Sequence, residues 1–139
     1  MKQFFLDGAP VPFEDGDTLM AAATRAGHQV PHLCWHPQLA PSGACRLCTV
    51  QVDGRMTAAC TTRASEGLEG HNHTPERTTL RRQLTQMLFV EGNHYCPGCE
   101  KSGNCELQST AYALGMADMR HDLLIPQRPV EASHPDLWL

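Results

Sequence analysis

The stretch PHLCWHPQLAPSGACRLCTVQVDGRMTAAC, residues 31–60, contains four of the seven cysteines in a C-x10-C-x2-C-x11-C pattern. Four soft thiolates that converge from a loop and from a strand end can hold an iron–sulfur cluster. A structural zinc site accepts the same ligands, but it usually draws them from two C-x2-C pairs, and this stretch has one. The spacing therefore favours a [2Fe–2S] cluster over zinc. The candidate ligands are Cys34, Cys45, Cys48 and Cys60.

The sequence on both sides of this loop predicts a small domain in which a mixed sheet packs on one helix. A helix is predicted over residues 18–26, because Asp17 or Thr18 can cap it and Gly27 can end it. Its apolar side would carry Leu19, Ala22, Ala23 and Ala26. Strands are predicted over residues 3–7, 11–13, 47–52 and 55–59, with hairpin turns at Gly8-Ala9 and Asp53-Gly54. This order of elements indicates a β-grasp fold.

A second motif, H-x-C-x2-C-x5-C, lies within residues 94–105. Three thiolates leave a four-iron cluster one ligand short, and a neutral imidazole can supply the fourth. A zinc site with three cysteines and one histidine is an equal alternative on spacing alone. The candidate ligands are His94, Cys96, Cys99 and Cys105.

The sequence around the second motif predicts helices. Residues 61–73 are polar and predict a linker, after which Thr74 can cap a helix that Pro75 opens and Gly92-Asn93 ends. A shorter helix is predicted from about residue 104 to residue 114 or 115. The first of these helices has an apolar stripe that is predicted to pack as core and consists of Leu80, Leu84, Met87 and Leu88.

The chain is therefore predicted to be an α+β protein in three parts. Residues 1–73 would form the β-grasp domain that carries the first motif, residues 74–120 a helical domain that carries the second, and residues 121–139 an extended tail. Trp138 in this tail is a candidate contact to a partner, since tryptophan is enriched at interface hot spots.

Composition narrows the classes of function. The net charge of −4 and the lack of a Lys/Arg cluster argue against nucleic-acid binding, and no apolar stretch is long enough for a membrane span. No apolar secretory signal follows Met1, so the chain is expected in the cytoplasm. Aromatic residues make up only 6% of the 139 residues, and so small a core usually needs a metal or a disulfide. The sequence shows no G-x-G-x-x-G motif, no P-loop and no convincing nucleophile–base pair. No catalytic residue is therefore assigned.

The two cysteine motifs and their flanking residues resemble those of a known family. Residues 31–60 are similar to the N-terminal ferredoxin-like domain of the complex I large iron–sulfur subunit, of iron-only hydrogenases, and of the diaphorase small subunit of NAD-reducing nickel–iron hydrogenase. The stretch EGNHYCPGCEKSGNCELQ, residues 91–108, is most similar to that diaphorase subunit, because complex I places its histidine further from the first cysteine. The segment RPVEASHPDLWL, residues 128–139, also resembles the diaphorase subunit.

The resemblance implies that residues 1–73 are a [2Fe–2S] ferredoxin-like domain and residues 74–120 a helical [4Fe–4S] domain. It implies one [2Fe–2S] cluster and one [4Fe–4S] cluster in an electron-transfer subunit without a substrate site of its own. Such a subunit would relay single electrons between a flavin/NAD(H)-binding subunit and a hydrogenase or related dehydrogenase module. A free two-cluster ferredoxin that acts as a soluble carrier is the alternative. The family continues into motifs for two more [4Fe–4S] clusters, whereas no cysteine follows Cys105 here. A fragment or a short two-cluster form is therefore expected.

Overall fold

The computed structural model of the protein describes residues 1–91, 94–116, 118, 121–122, 124, 130 and 133–136. The strands are β1 (Gln3–Leu6), β2 (Ala9–Pro12), β3 (Thr49–Val52), β4 (Arg55–Ala58) and β5 (Glu69–His71). The helices are α1 (Leu19–Arg25), α2 (Pro75–Val90) and α3 (Glu106–Ala113), and a short 3-10 turn spans Cys96–Gly98. Gly92-Asn93, Trp138 and most of the predicted tail lie outside the described residues.

Two tight hairpins supply four of the five strands of one mixed sheet. Asp53-Gly54 joins β3 to β4 as predicted, with both residues at positive φ. Asp7-Gly8 joins β1 to β2 in the same way, one residue earlier than the Gly8-Ala9 turn that the sequence predicted. Positive φ at both central residues is typical of the type I′ turn, which matches the twist of the flanking strands.

The central strand of this sheet is one that the sequence did not predict. The strand order is β2-β1-β5-β3-β4, so β5 joins the two hairpins. It pairs parallel to β1 and antiparallel to β3. A Cβ atom on Gly70 would lie 3.3 Å from Leu6 Cδ1, so this close approach favours glycine. The prediction that residues 61–73 form only a linker is therefore wrong over Glu69–His71.

Helix α1 covers the apolar face of the sheet. The Thr18 hydroxyl accepts a hydrogen bond from the Ala21 amide, so Thr18 is the N-cap, as one of the two predicted candidates. Ala26 is exposed, contrary to the prediction, while Met20 is fully buried among the strands. The core residues that surround it come from the two hairpins and from the loops beside them, and include Phe4, Val11, Val30, Val50 and Ala58.

Helix α2 buries a polar face rather than the predicted apolar stripe. Thr74 caps it and Pro75 opens it, as predicted. Met87 and Leu88 are exposed, however, and Leu80 and Leu84 are only half-buried. The buried side chains of α2 are Arg77, Arg81, Thr85 and Gln86. The prediction that the leucine–methionine stripe packs as core is therefore wrong. Within the described ranges, no helix is long and apolar enough to cross a membrane.

Candidate metal centres

The first four candidate cysteines lie at one end of the sheet. Cys34 and Cys45 belong to the long loop between α1 and β3, Cys48 directly precedes β3, and Cys60 follows β4. The loop packs against the turn after β4 at Gly43, which is buried and has a φ of +66°. A Cβ atom at that position would lie 3.2 Å from Thr61 Cγ2.

Cys34 and Cys45 form the outer pair of this centre and are half-buried. The Cys45 amide donates a hydrogen bond to Cys34 Sγ over 3.3 Å. Burial alone would raise the pKa of the Cys34 thiol, but hydrogen bonds from Cys45, Ser42 and the Ala44 amide together lower it to about 7. Cys34 thus loses its proton more readily than an ordinary cysteine, and the thiolate is the form that binds metal.

Cys48 and Cys60 form the inner pair and are almost fully buried, at 1% and 0% exposure. Burial raises the pKa of the Cys48 thiol to about 11, and the neighbouring thiols of Cys60 and Cys34 add to the rise. A cation or cluster that binds here would displace a proton from Cys48. Cys60 and Cys34 therefore both lie near enough to Cys48 to influence its protonation.

The second four candidates line one cavity of about 330 Å³. His94, Cys96, Cys99 and Cys105 all contribute to its wall, together with Phe89, Tyr95, Gly98, Ser102, Leu107 and Gln108. Cys99 is exposed, whereas Cys96 and Cys105 are half-buried. The structure thus brings the four residues of the second motif to the same surface depression.

Local hydrogen bonds and packing fix the loop around this cavity. Gln108, on the first turns of α3, accepts a hydrogen bond from the Gly103 amide over 2.7 Å. A Cβ atom on Gly98 would approach Tyr95 Cδ1 to 2.9 Å, so a side chain there would require the Tyr95 ring to shift. Cys105 is the residue that precedes α3.

The His94 ring is held from two sides. Its Nε2 atom lies 3.2 Å from the Glu91 carbonyl oxygen, and Phe89 packs edge-on at a ring distance of 5.5 Å. A histidine that binds metal commonly donates its other ring N–H to a backbone carbonyl in this way.

Among the described residues, no three His, Cys, Asp or Glu side chains stand close enough together for a single metal ion.

The rings of His32 and His36, outside the two motifs, contact their own loop, while His71 and His73 lie in and beside β5. His32 Nδ1 lies 2.7 Å from the Val30 carbonyl oxygen, and its ring meets Trp35 edge-on. The His36 ring accepts a hydrogen bond from the Gln38 amide. His71 lies in β5, and the His73 amide donates to the carboxylate of the hairpin turn at Asp7.

The soft donors of both groups fit iron–sulfur clusters, which places the chain among iron–sulfur proteins. Residues 1–75 match the family model of the 2Fe-2S iron-sulfur cluster binding domain. Residues 81–120 match the NADH-ubiquinone oxidoreductase-G iron-sulfur binding region. The chain belongs to the 2Fe-2S iron-sulfur cluster binding domain family. The predicted cofactors, one [2Fe–2S] and one [4Fe–4S] cluster, are thereby confirmed.

Relatives with assigned names agree with the resemblance that the sequence indicated. The chain is 40% identical to the gamma component of the NAD-reducing hydrogenase HoxS of Cupriavidus necator, over 99% of this chain and 58% of the relative. It is 35% identical to an NADH-quinone oxidoreductase subunit of Rhizobium meliloti, over 86% of this chain and 14% of that protein.

A solved structure is similar over nearly the whole chain. The crystal structure of NAD+-reducing [NiFe]-hydrogenase in the H2-reduced state contains a chain that superposes with a TM-score of 0.89 at 51% identity. The match covers 99% of the present chain and 59% of that chain. This chain therefore spans about three-fifths of the length of these two hydrogenase relatives.

Sequence reasoning missed two residues that support the first centre, Arg81 and Asn72. Both are almost fully buried, and the Arg81 guanidinium reaches the backbone on either side of Cys48. The sequence contains no signal for Asn72. For Arg81 the hint was a row of polar residues at helical spacing in α2, namely Arg77, Arg81 and Thr85.

Proposed function

We propose that the two thiol groups hold the two clusters of this chain. Cys34, Cys45, Cys48 and Cys60 would bind the [2Fe–2S] cluster, and the remaining set, His94, Cys96, Cys99 and Cys105, the [4Fe–4S] cluster. The pairing of outer and inner thiols supports the first set, because two irons need two ligands each. The shared 330 Å³ cavity supports the second. The clusters supply one-electron redox chemistry.

We propose that the sheet of residues 1–73 has the β-grasp, ferredoxin-like fold. The mixed sheet with its single covering helix supports this assignment. Residues 74–120 would form the helical [4Fe–4S] domain, and residues 121–139 an extended tail.

We infer that the chain relays single electrons between a flavin/NAD(H)-binding subunit and a hydrogenase or related dehydrogenase module in the cytoplasm. The observation that carries this inference is the 40% identity, over 99% of the chain, to a subunit of an NAD-reducing hydrogenase. The protein would contribute position and electrostatics, while the clusters carry the redox change. A free two-cluster ferredoxin is not favoured, because the named relatives are subunits of larger oxidoreductases.

Anaerobic co-expression of the tagged chain with the flavin/NAD(H) subunit from the same source tests this relay. The purified complex should contain about six irons in this chain and show two distinct EPR signals after reduction with dithionite. In the complex, NADH should produce both signals, whereas the isolated chain mixed with NADH should stay oxidised. Failure of NADH to reduce either cluster in a flavin-loaded complex would contradict the relay, and absence of stable association would contradict the subunit role.

A further inference from the structure

A buried arginine from α2 lies directly behind the first centre. The Arg81 side chain is only 2% exposed. Its Nε donates to the Leu47 carbonyl oxygen over 2.8 Å, and one Nη2 hydrogen bond goes to the Thr49 carbonyl oxygen over 3.1 Å. Leu47 and Thr49 are the two neighbours of Cys48. The guanidinium therefore bridges the backbone on both sides of a proposed cluster ligand.

The hydrogen bonds of this guanidinium go to neutral acceptors. Besides the two carbonyls, Nη1 donates to the Asn72 carbonyl oxygen over 2.9 Å and Nη2 to Asn72 Oδ1 over 2.5 Å. Asp7 accepts instead from the backbone amides of Asn72 and His73. A buried charge is costly unless an opposite charge compensates it. Asp7 supplies one negative charge near the guanidinium, and a cluster held at Cys48 would supply another.

Electrostatics within the chain point the same way. Burial lowers the pKa of Arg81, and the positive charge of Arg77 lowers it further, whereas negative charge at Cys48 and at Asp7 raises it. A negative charge at Cys48, such as a bound cluster would place there, would act on the guanidinium through low-dielectric protein, where charges are screened less than at the surface.

We propose that Arg81 is a positioning residue that supplies a fixed positive charge behind the [2Fe–2S] cluster and raises its reduction potential. Its role rests on the ligand set proposed for that cluster. Each electron that arrives from the reductant adds one negative charge at the centre, and no bond needs to form or break in the protein. A fixed cation stabilises the reduced state more than the oxidised state. Helix α2, which leads towards the second centre, would in this way tune the first.

A redox titration of the full chain with dithionite, followed by EPR, tests this role. The [4Fe–4S] signal serves as an internal reference in each sample. In Arg81→Met, the equilibrium constant for one-electron reduction of the [2Fe–2S] cluster should fall about tenfold, which corresponds to a potential about 59 mV more negative. Arg81→Lys keeps the charge but loses the planar fork. Its potential should stay closer to that of the wild type even if the chain is less stable.

Two further variants separate charge from structure. Asn72→Asp is nearly isosteric and places a carboxylate against the guanidinium, so it should also lower the [2Fe–2S] potential. If Arg81→Met does not fold, the [2Fe–2S] potential of Asn72→Asp tests the role of Arg81. Arg82→Met is the matched control, because Arg82 is the exposed neighbour on α2 and donates to the Leu114 carbonyl oxygen. It should leave the [2Fe–2S] potential unchanged.

The outcomes distinguish this role from the proposed function. If the wild type shows no [2Fe–2S] signal, the ligand set itself is wrong. If that signal is present but neither Arg81→Met nor Asn72→Asp moves its potential relative to the [4Fe–4S] cluster, Arg81 has only a structural role. If Arg82→Met shifts the [2Fe–2S] potential as much as Arg81→Met does, the effect of Arg81 is not specific and the role is overturned.

Discussion

The first candidate centre lies against a packed sheet, whereas the second lies on loops and short helices near the surface. The main hydrophobic cluster is drawn from residues 4–60 and includes Cys48 and Cys60 themselves. Beyond residue 75, the buried apolar side chains among the described residues are Ala111 and Leu114. The second centre correspondingly has one exposed and two half-buried cysteines.

This difference indicates that the two regions depend on their clusters to different extents. A region with little buried apolar surface has little to offset the conformational entropy of ordering its chain. Small domains of this kind are commonly held by metal. The second region should therefore need its cluster to stay folded, while the sheet should keep most of its structure without one.

Replacement of single proposed ligands should have the largest effect on this comparison. Cys105→Ser should abolish the [4Fe–4S] EPR signal and spare the [2Fe–2S] signal, because the two proposed ligand sets share no residue. Cys60→Ser should do the reverse. Ser102→Ala, which changes a different residue of the second cavity wall, should leave both signals intact. Loss of both signals in either cysteine variant would mean that the centres are not independent.

Removal of iron with a chelator should separate the two regions in hydrogen exchange. Amides of residues 94–116 should lose their protection from exchange, because thiols without metal no longer cross-link this loop. Amides of β3 and β4 should stay protected by the sheet and its core. Mass-spectrometric exchange of loaded and metal-free chain, side by side, measures both. Equal loss of protection in the two regions would show that the sheet also needs its cluster.

Core truncations should show where the packing energy resides. Phe4 is fully buried beneath α1, so Phe4→Ala should lower the free energy of unfolding by about 3–5 kcal/mol. Met87 is 61% exposed, so Met87→Ala should stay within about 0.5 kcal/mol of the wild type. Guanidinium denaturation followed by far-UV circular dichroism gives both values. A Met87→Ala cost that approaches that of Phe4→Ala would restore the leucine–methionine stripe as core.

The parts of the fold that the sequence predicted correctly rest on local signals. The Asp53-Gly54 turn and the caps at Thr18 and Thr74 are each set by a few neighbouring residues. The two cysteine motifs were visible for the same reason, because several candidate donors stand within a short stretch. Their exact geometry depends on the surrounding loops, which the spacing alone does not describe.

The parts that sequence reasoning missed depend on distant partners. The three residues of β5, Glu69–His71, lack apolar alternation and form a strand because β1 and β3 offer unpaired edges on either side. The buried face of α2 was misassigned because periodicity does not reveal what a helix will meet. The carbonyl oxygens of Leu47 and Thr49 need donors in a buried setting, and Arg81 satisfies them better than a leucine could.

The smallest of these effects concerns the start of α2, the helix that reaches from the first centre towards the second. The Thr74 hydroxyl accepts a hydrogen bond from the Arg77 amide over 3.3 Å, so Thr74→Ala should cost about 1 kcal/mol. Thr79 is exposed to solvent and lies within the same helix, away from its ends. Thr79→Ala should be neutral or slightly stabilising, because alanine has the higher helix propensity. Chemical denaturation of the two variants compares them directly. Equal costs would mean that α2 is held by tertiary contacts such as those of Arg81 and not by its cap.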